Sequence, residues 1–401
     1  MPALSSSPIL SVLDQSGLSL DEPAQLSLVE ALAQVPDPRS ARGVRHGVLS
    51  VLLISACAVL AGARSYAAIA EYAHDSGREV LDSLQVGAVA PHASTIRRVL
   101  QQLDPDVFDA ALRSWTLARL ATQAPDPPRP QRPREARRVL AVDGKTIRGA
   151  RRRDGTRAHL VAVFDLASGA VLAQREIAHK GGEVALVPRL LDELDLTDVL
   201  VTADALHTQR AHADYLHGRG GHYLMTVKAN QPRLLRRLQA LPWRQIGPAA
   251  RLRARGHGRV ETRTISVVAL YPSPDFHGRE FFPHATQAIK LVRRRRSLVG
   301  RWHTATIYAI TSLPGWQADP VLLAGWIRGH WKIENQLHWV RDVTFDKDRS
   351  AVRTAAGPQI MAALRNLAIT ALRLAGTSNI AAGLRHHARD SRRPLATYAI
   401  T

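Results

Sequence analysis

The feature that most constrains this chain is a change of periodicity across one proline-rich stretch. Residues 124–133 read APDPPRPQRP, with five prolines in ten positions. Proline fixes φ and withholds a backbone donor, so the stretch reads as an extended, semi-rigid connector. Before it, apolar residues recur at helical spacing. After it, β-rich runs alternate with amphipathic helical ones. The expected division is a flexible lead-in at 1–23, a helical domain at 24–122, and a linker at 123–136. An α/β domain at 137–375 and a C-terminal tail at 376–401 complete it.

In the first half, helices are expected at residues 24–34, 48–63, 65–77 and from Asp104-Pro105 to about residue 121. Another follows Pro91, with Ser94 or Thr95 as its N-cap, and carries Arg97 and Arg98. An arginine pair on a short helix after a turn suits a DNA-reading helix or an ordinary surface helix equally. In the second half, strands are expected at 138–147, 159–165, 169–177, 198–202 and 222–227, with helices at 184–194, 210–217 and 232–241. That order predicts an α/β core with a mixed sheet whose first strands form a meander. Residues 250–313 break the rhythm with β-like runs at 260–270, 287–292 and 304–312, and helix resumes over 321–340 and 358–374.

Charge narrows the partners. The 401 residues hold 54 Lys+Arg against 34 Asp+Glu, a formal charge of +20, while 45% are apolar. A globular chain with that excess concentrates polyanions around itself, and a nucleic acid leads the candidates over an anionic membrane. Residues 129–157 carry eleven basic side chains against three acids, and residues 251–301 carry twelve against three. Such runs can be solvated surface, but two of the same sign with few counter-charges favour phosphate contact. Cys57 is the only cysteine, so neither an intramolecular disulfide nor a Cys-based zinc site is available. The longest apolar run, residues 48–63, falls short of the ~20 residues a membrane span needs. With no signal-peptide pattern either, the expected location is cytoplasmic, nucleoid-associated when bound to DNA.

Three segments place acids where chemistry is more natural than solvation. Asp143 follows Leu140-Ala141-Val142 on a strand, and Asp204 ends the apolar run from Leu200. An isolated buried carboxylate is costly unless a cation or strong donors compensate it. Glu334 lies on a helix with His330 and His338 at i, i+4, i+8, so all three share a face. Hard carboxylate oxygens suit Mg²⁺ or Mn²⁺, and two such ions can activate the attacking oxygen and stabilise the leaving oxygen of a phosphodiester. Asp342 competes as a third acid, and the two histidines could hold zinc, though not with H-E-x-x-H spacing. Gly144-Lys145-Thr146 hints at a P-loop, which Val139 excludes by standing where glycine is required.

These residues sit in a longer pattern. AVDGKTIRGAR (141–151), VTADALHTQ (201–209), LMTVKANQP (224–232), GHGRVETR (256–263) and HWKIENQLHWVRDVTFDKDRS (330–350) together resemble bacterial insertion-sequence transposases of the DDE class, in the ISAs branch of the IS-four type. LAQVPDPRSARGVRHG (32–47) is similar to the N-terminal domain associated with that branch. The resemblance spans roughly residues 24–375. It implies an RNase-H-like core with a β-rich insertion, behind an all-helical N-terminal domain. It also implies Asp143, Asp204 and Glu334 as catalytic residues holding two Mg²⁺ or Mn²⁺ ions. Lys228, Arg259 and Arg263 become DNA contacts by the same resemblance. The implied activity is nicking at the element's ends followed by 3′-hydroxyl attack on target DNA. The implied partners are double-stranded transposon ends and target DNA, with a homodimer in the synaptic complex. The wider pattern of Tyr, Arg, Glu and Lys departs here to Ile327, His330, Glu334 and Arg341. His330 and Arg341 are therefore expected phosphate contacts, with Arg328 replacing the missing arginine.

Overall fold

The computed structural model describes residues 26–40, 42, 44–123, 137–151, 155–177, 182–256, 258–270, 281–297, 300–347 and 352–401. The expected lead-in and nearly all of the linker lie outside these.

The N-terminal half is helical as read, through α1 (Leu28–Ala33), α2 (Val48–Leu60), α3 (Tyr66–Asp75), α4 (Arg78–Ser83), α5 (Ala93–Gln102) and α6 (Pro105–Gln123). A capping box sets the start of α1: Ser27 Oγ accepts from the Glu30 amide at 3.1 Å, and Glu30 accepts from the Ser27 amide at 2.8 Å. The start of α5 corrects the expected Ser94 or Thr95. His92 is the cap, its Nδ1 accepting from the Ser94 amide at 3.2 Å. An imidazole nitrogen here does the work usually given to a hydroxyl or carboxylate.

Beyond the linker come β1 (Val139–Arg151), β2 (Arg157–Asp165), β3 (Val171–Ile177), α7 (Glu183–Leu191), β4 (Leu200–Ala203), α8 (Arg210–Gly218), β5 (His222–Val227), α9 (Pro232–Ala240) and α10 (Trp243–Ile246). Then follow β6 (Ala250–Gly256), β7 (Arg259–Ala269), β8 (Gln287–Ser297), β9 (His303–Thr311), α11 (Pro320–Gly329) and α12 (Gly357–Leu374). All nine strands form one sheet in the order β3-β2-β1-β4-β5-β9-β8-β7-β6. β1, β4 and β5 run parallel, and β1 to β3 form the expected antiparallel meander. The β-rich stretch does not stand apart. It joins the same sheet through β9, which pairs antiparallel with β5. Its arginine-rich first strand, ARLRARG, alternates at strand spacing but holds no β-branched or aromatic residue, so its strand signal is weak.

Alternation along the strands divides the core. Ala141, Ala162 and Phe164 face one apolar cluster with α2 and α12, while Leu140, Val142, Val161 and Val163 face another with α7 and α8. Helix therefore covers both faces of the central strands, which is why eight of nine β2 residues are buried. α12 is buried along nearly its whole length, its few polar side chains included, and Gln359, Asn366 and Thr370 find hydrogen-bond partners on neighbouring elements. It packs on α2 and α6 as well as on β3, so the N-terminal helices share one core with the sheet. The expected tail is α13 (Ile380–His387) and α14 (Arg392–Tyr398), and Tyr398 is buried edge-on to Trp115 with ring centroids 6.0 Å apart.

Candidate active site

The parallel pairing of β1 and β4 matches Val142 to Ala203, so Asp143 and Asp204 are the next residues on neighbouring strands. Both lie on the face of Ala141 and Thr202, opposite Val142. That face is covered by the segment that follows α11. The expected straight helix through residue 340 is instead widened to π-helix over Ile333–His338 and Val340–Thr344. Wide turns of this kind are rare and occur mostly as local features at functional sites. They carry Glu334 and His338 to Asp143. One ligand atom from each of the three lies within 4.8 Å of the others.

Each side chain in this group has a distinct electrostatic setting. Burial pushes the Asp143 carboxyl above its ordinary value, with His330 working against it. His338 is fully buried, and burial together with the Arg341 charge holds its ring well below its usual value. It is therefore a neutral imidazole with one proton. Arg341 Nη2 can only donate, and it meets His338 Nδ1 at 2.9 Å, which places that proton on Nε2. Nε2 lies 3.2 Å from Asp143 Oδ2. His338 thus acts toward Asp143 as a proton-bearing neighbour and has no lone pair to offer zinc in this tautomer. His330 has the opposite tautomer. Thr202 gives its hydroxyl proton to the Leu140 carbonyl at 3.1 Å, so it accepts from His330 Nδ1 at 3.2 Å. Burial lowers the His330 pKa, while Asp143 and Asp204 pull the other way.

Three expectations change on this geometry. Arg341 does not face phosphate, because it is 0% exposed. Its Nη1 donates to Gln174 Oε1 at 2.9 Å, which also accepts from Asn366 at 2.8 Å. It anchors His338 to the sheet and to α12, and burial lowers its pKa only to about 10, leaving it charged. His330 is half-buried against β4 among the acids and does not line the basic groove described below. Asp342 pairs with two lysines, Lys347 at 3.1 Å and Lys145 at 3.7 Å, and it is Glu334 that joins the group around Asp143. Asp204 stands outside the 4.8 Å group and caps the 3₁₀ turn Ala205–His207, its Oδ1 accepting from the Leu206 amide at 2.9 Å.

Lys145 is the residue sequence reasoning passed over, because Gly-Lys-Thr was weighed only as a phosphate loop. Its Nζ donates to Glu334 Oε1 at 2.9 Å. The donor set suits a hard divalent cation. Two carboxylates converge and a third stands on the adjacent strand, while the Lys145 ammonium occupies one of them in place of a cation.

A groove of about 1170 Å³ lies between β6 to β8 and α11, and its lining reaches the segment that carries Glu334. Its walls carry Arg255, Arg259, Arg263, Arg293, Arg295, Arg328 and Lys332, and its only acid is Glu261. Arg293 meets Glu261 at 2.7 Å, and Arg263 is paired with the same carboxylate. Arg259 is exposed, and so is Lys228, one residue beyond β5. Trp331 and Asn335, which flank Glu334, form one end of the groove. A second groove of about 640 Å³, in the helical half, is lined by Arg39, Arg42, Arg45, His46, His92 and Arg98 among others. Arg98 therefore belongs to a basic concavity, whereas Arg39 is neutralised by Asp37 at 2.6 Å.

Converging carboxylates that could hold a divalent cation, in a domain that also carries an arginine-lined groove, are what phosphoryl transfer on a polyanion needs. Residues 134–371 match the transposase DDE domain family, and residues 29–116 match the DDE_Tnp_1-associated domain. The chain belongs to the DDE transposase family and is a DNA transposase. YncI of Escherichia coli O157:H7, provisionally named a transposase, is 28% identical over 86% of this chain and 87% of its own length. YhhI of Escherichia coli K12, an H repeat-associated protein provisionally named in the same way, is 28% identical over 86% of this chain and 90% of its own. A piggyBac transposase in a synaptic complex with hairpin DNA aligns with 92% of this chain and 78% of its own at a TM-score of 0.40 and 9% identity. Membership of the family implies use of a divalent metal. No helix among the described residues is long and apolar enough to cross a membrane.

Proposed function

We propose that Asp143, Asp204 and Glu334 are the catalytic, metal-holding residues of a core with RNase-H-like topology, and that the preferred ions are two Mg²⁺ or Mn²⁺. One observation carries the reading: Asp143 and Glu334, from opposite ends of the catalytic region, converge to within 4.8 Å. Two cations held there would activate the attacking oxygen and offset charge on the leaving one. The rest belongs to the chain. The groove's arginines hold the duplex by its phosphates, with an affinity that falls steeply with salt. Lys228 and Arg259 reach the backbone from exposed positions, while Arg263 orients Glu261 and Arg293 as well as meeting DNA. Hydrolysis at the element's end breaks a P–O bond and frees a 3′-hydroxyl, and attack of that hydroxyl on a target phosphodiester forms a new P–O bond as the target strand's own 3′-oxygen leaves and takes up a proton. The helical half holds the element's end in its own basic groove, and a homodimer brings two ends together.

The test is labelled element ends incubated with and without Mg²⁺, resolving nicked, excised and joined products. Asp143→Asn should lower nicking by about three orders of magnitude, a loss of roughly 4 kcal/mol in transition-state stabilisation, and leave end binding within twofold. Nicking at the normal rate by that variant would remove Asp143 from the chemistry.

A further inference from the structure

The opposite side of β1 holds a charged cluster that the reading above leaves unused. Glu183 opens α7 and is 3% exposed, yet it sits against two equally buried histidines, His159 at 2% and His207 at 1%. His159 Nε2 lies 2.7 Å from one carboxylate oxygen and His207 Nε2 lies 3.6 Å from the other. The second nitrogen of His159 meets Thr146 Oγ1 at 2.8 Å. The cluster presses on the backbone beside Asp143. A Cβ on Gly144 would stand 2.5 Å from Glu183 Oε2 and 2.6 Å from His159 Nε2.

What matters is where the two histidines come from. His159 belongs to β2, whose residue 162 pairs with Asp143. His207 closes the 3₁₀ turn that Asp204 caps. One carboxylate therefore spans from the strand paired with that of Asp143, whose His159 also meets Thr146 of β1, to the turn that Asp204 caps. Replacing buried polar and ionisable groups with apolar packing is often neutral or stabilising, so bulk stability is a weak reason to keep this cluster. Their retained value is better sought in geometry, because a metal-holding constellation needs its members within about 0.5 Å of the productive arrangement.

We infer that Glu183, through His159 and His207, is a positioning residue that sets the separation of Asp143 and Asp204. The inference rests on the metal-holding reading of those two aspartates. It gives α7 a role that its sequence, an ordinary amphipathic helix, does not announce.

The experiment uses the full chain bound to an element end, with Mn²⁺ as the probe, and follows loss of the free-ion paramagnetic resonance signal alongside nicking. Glu183→Gln, which keeps shape and removes charge, should weaken Mn²⁺ binding about tenfold while end binding stays within twofold. Nicking should recover at saturating Mn²⁺, and Glu183→Asp should restore part of the affinity. If Glu183→Gln does not fold, His207→Asn severs only the Asp204 side and should show the same shift. An unchanged Mn²⁺ isotherm overturns the inference, and so does a parallel loss of end binding, which marks a general brace. Asp143→Asn run beside them separates the two readings. If it still nicks, the metal-holding reading fails. If it is inactive while Glu183→Gln titrates like wild type, only the role of Glu183 fails.

Discussion

The two faces of β1 between residues 143 and 146 solve the same problem differently. Asp143 and Lys145 point to the π-helical segment, where Asp143 is half-buried and burial raises its pKa. Gly144 and Thr146 face α7, where burial also tends to raise Glu183. There the two imidazoles more than offset it and hold the carboxyl down at about 2. One acid is half-buried and raised by its burial. The other has two imidazoles against it and is sealed. Burial alone does not make a reactive carboxylate; burial with a compensation deficit and a path for ligand does.

The sharpest way to break that contrast is to push one face into the other. Gly144→Ala forces Glu183 or His159 to retreat within a packed interior. Overpacking of this kind should cost about 1–3 kcal/mol in urea unfolding. Displacing Asp143 through its neighbour should also lower nicking about 100-fold, since shifts near 1 Å are worth that much, with end binding retained. A Gly144→Ala protein that unfolds and nicks like wild type would show that the two faces are mechanically independent.

Sequence reading carried different distances on the two faces. Asp143 and Asp204 stood out because each interrupts an apolar strand, and Glu334 because it repeats with two histidines at helical spacing. The strands β1 to β5 were legible for the same reason: buried β-branched runs leave little alternative. Glu183 was not legible. An acid at a helix start is the commonest place for one, and nothing local says that His159 and His207 will arrive from elsewhere in the chain. Arg341 failed in the opposite sense. An arginine in a basic protein reads as a phosphate contact, and only the fold shows it sealed between Gln174 and His338. The widened turns were equally hidden, because i, i+4 spacing cannot distinguish an α-helix from a π-helix over two turns.

The sealed face should also be visible in acid. Glu183 is held at about 2 against an ordinary 4.5, so its contribution to stability is fully present above about pH 4.5. That contribution is lost as pH falls toward 2. The whole shift is worth at most roughly 3 kcal/mol. Urea unfolding of wild type at pH 6 and pH 3 contains this loss together with that of every other carboxylate. Glu183→Gln contains all the others without it. The variant should lose up to about 2 kcal/mol less than wild type between those two pH values. Equal losses would mean that the imidazoles do not stabilise the charged carboxylate, and the contrast between the faces would collapse.

The smallest expected effect lies on the open face. Lys145 sits 2.9 Å from Glu334 Oε1 and 3.7 Å from Asp342, giving a charge that a divalent cation would otherwise give. If ammonium and cation compete, Lys145→Met should lower the melting temperature in chelator and enlarge the rise on adding Mg²⁺. Binding tightened tenfold is worth about 1.4 kcal/mol at saturating ion, near 2 °C for a protein of this size. The same substitution at Lys347, which pairs with Asp342 at 3.1 Å, should leave the Mg²⁺ increment smaller than Lys145→Met does. If Lys145→Met instead abolishes the Mg²⁺ response, the ammonium cooperates with the ion, and the open face is organised by the lysine as much as by its acids.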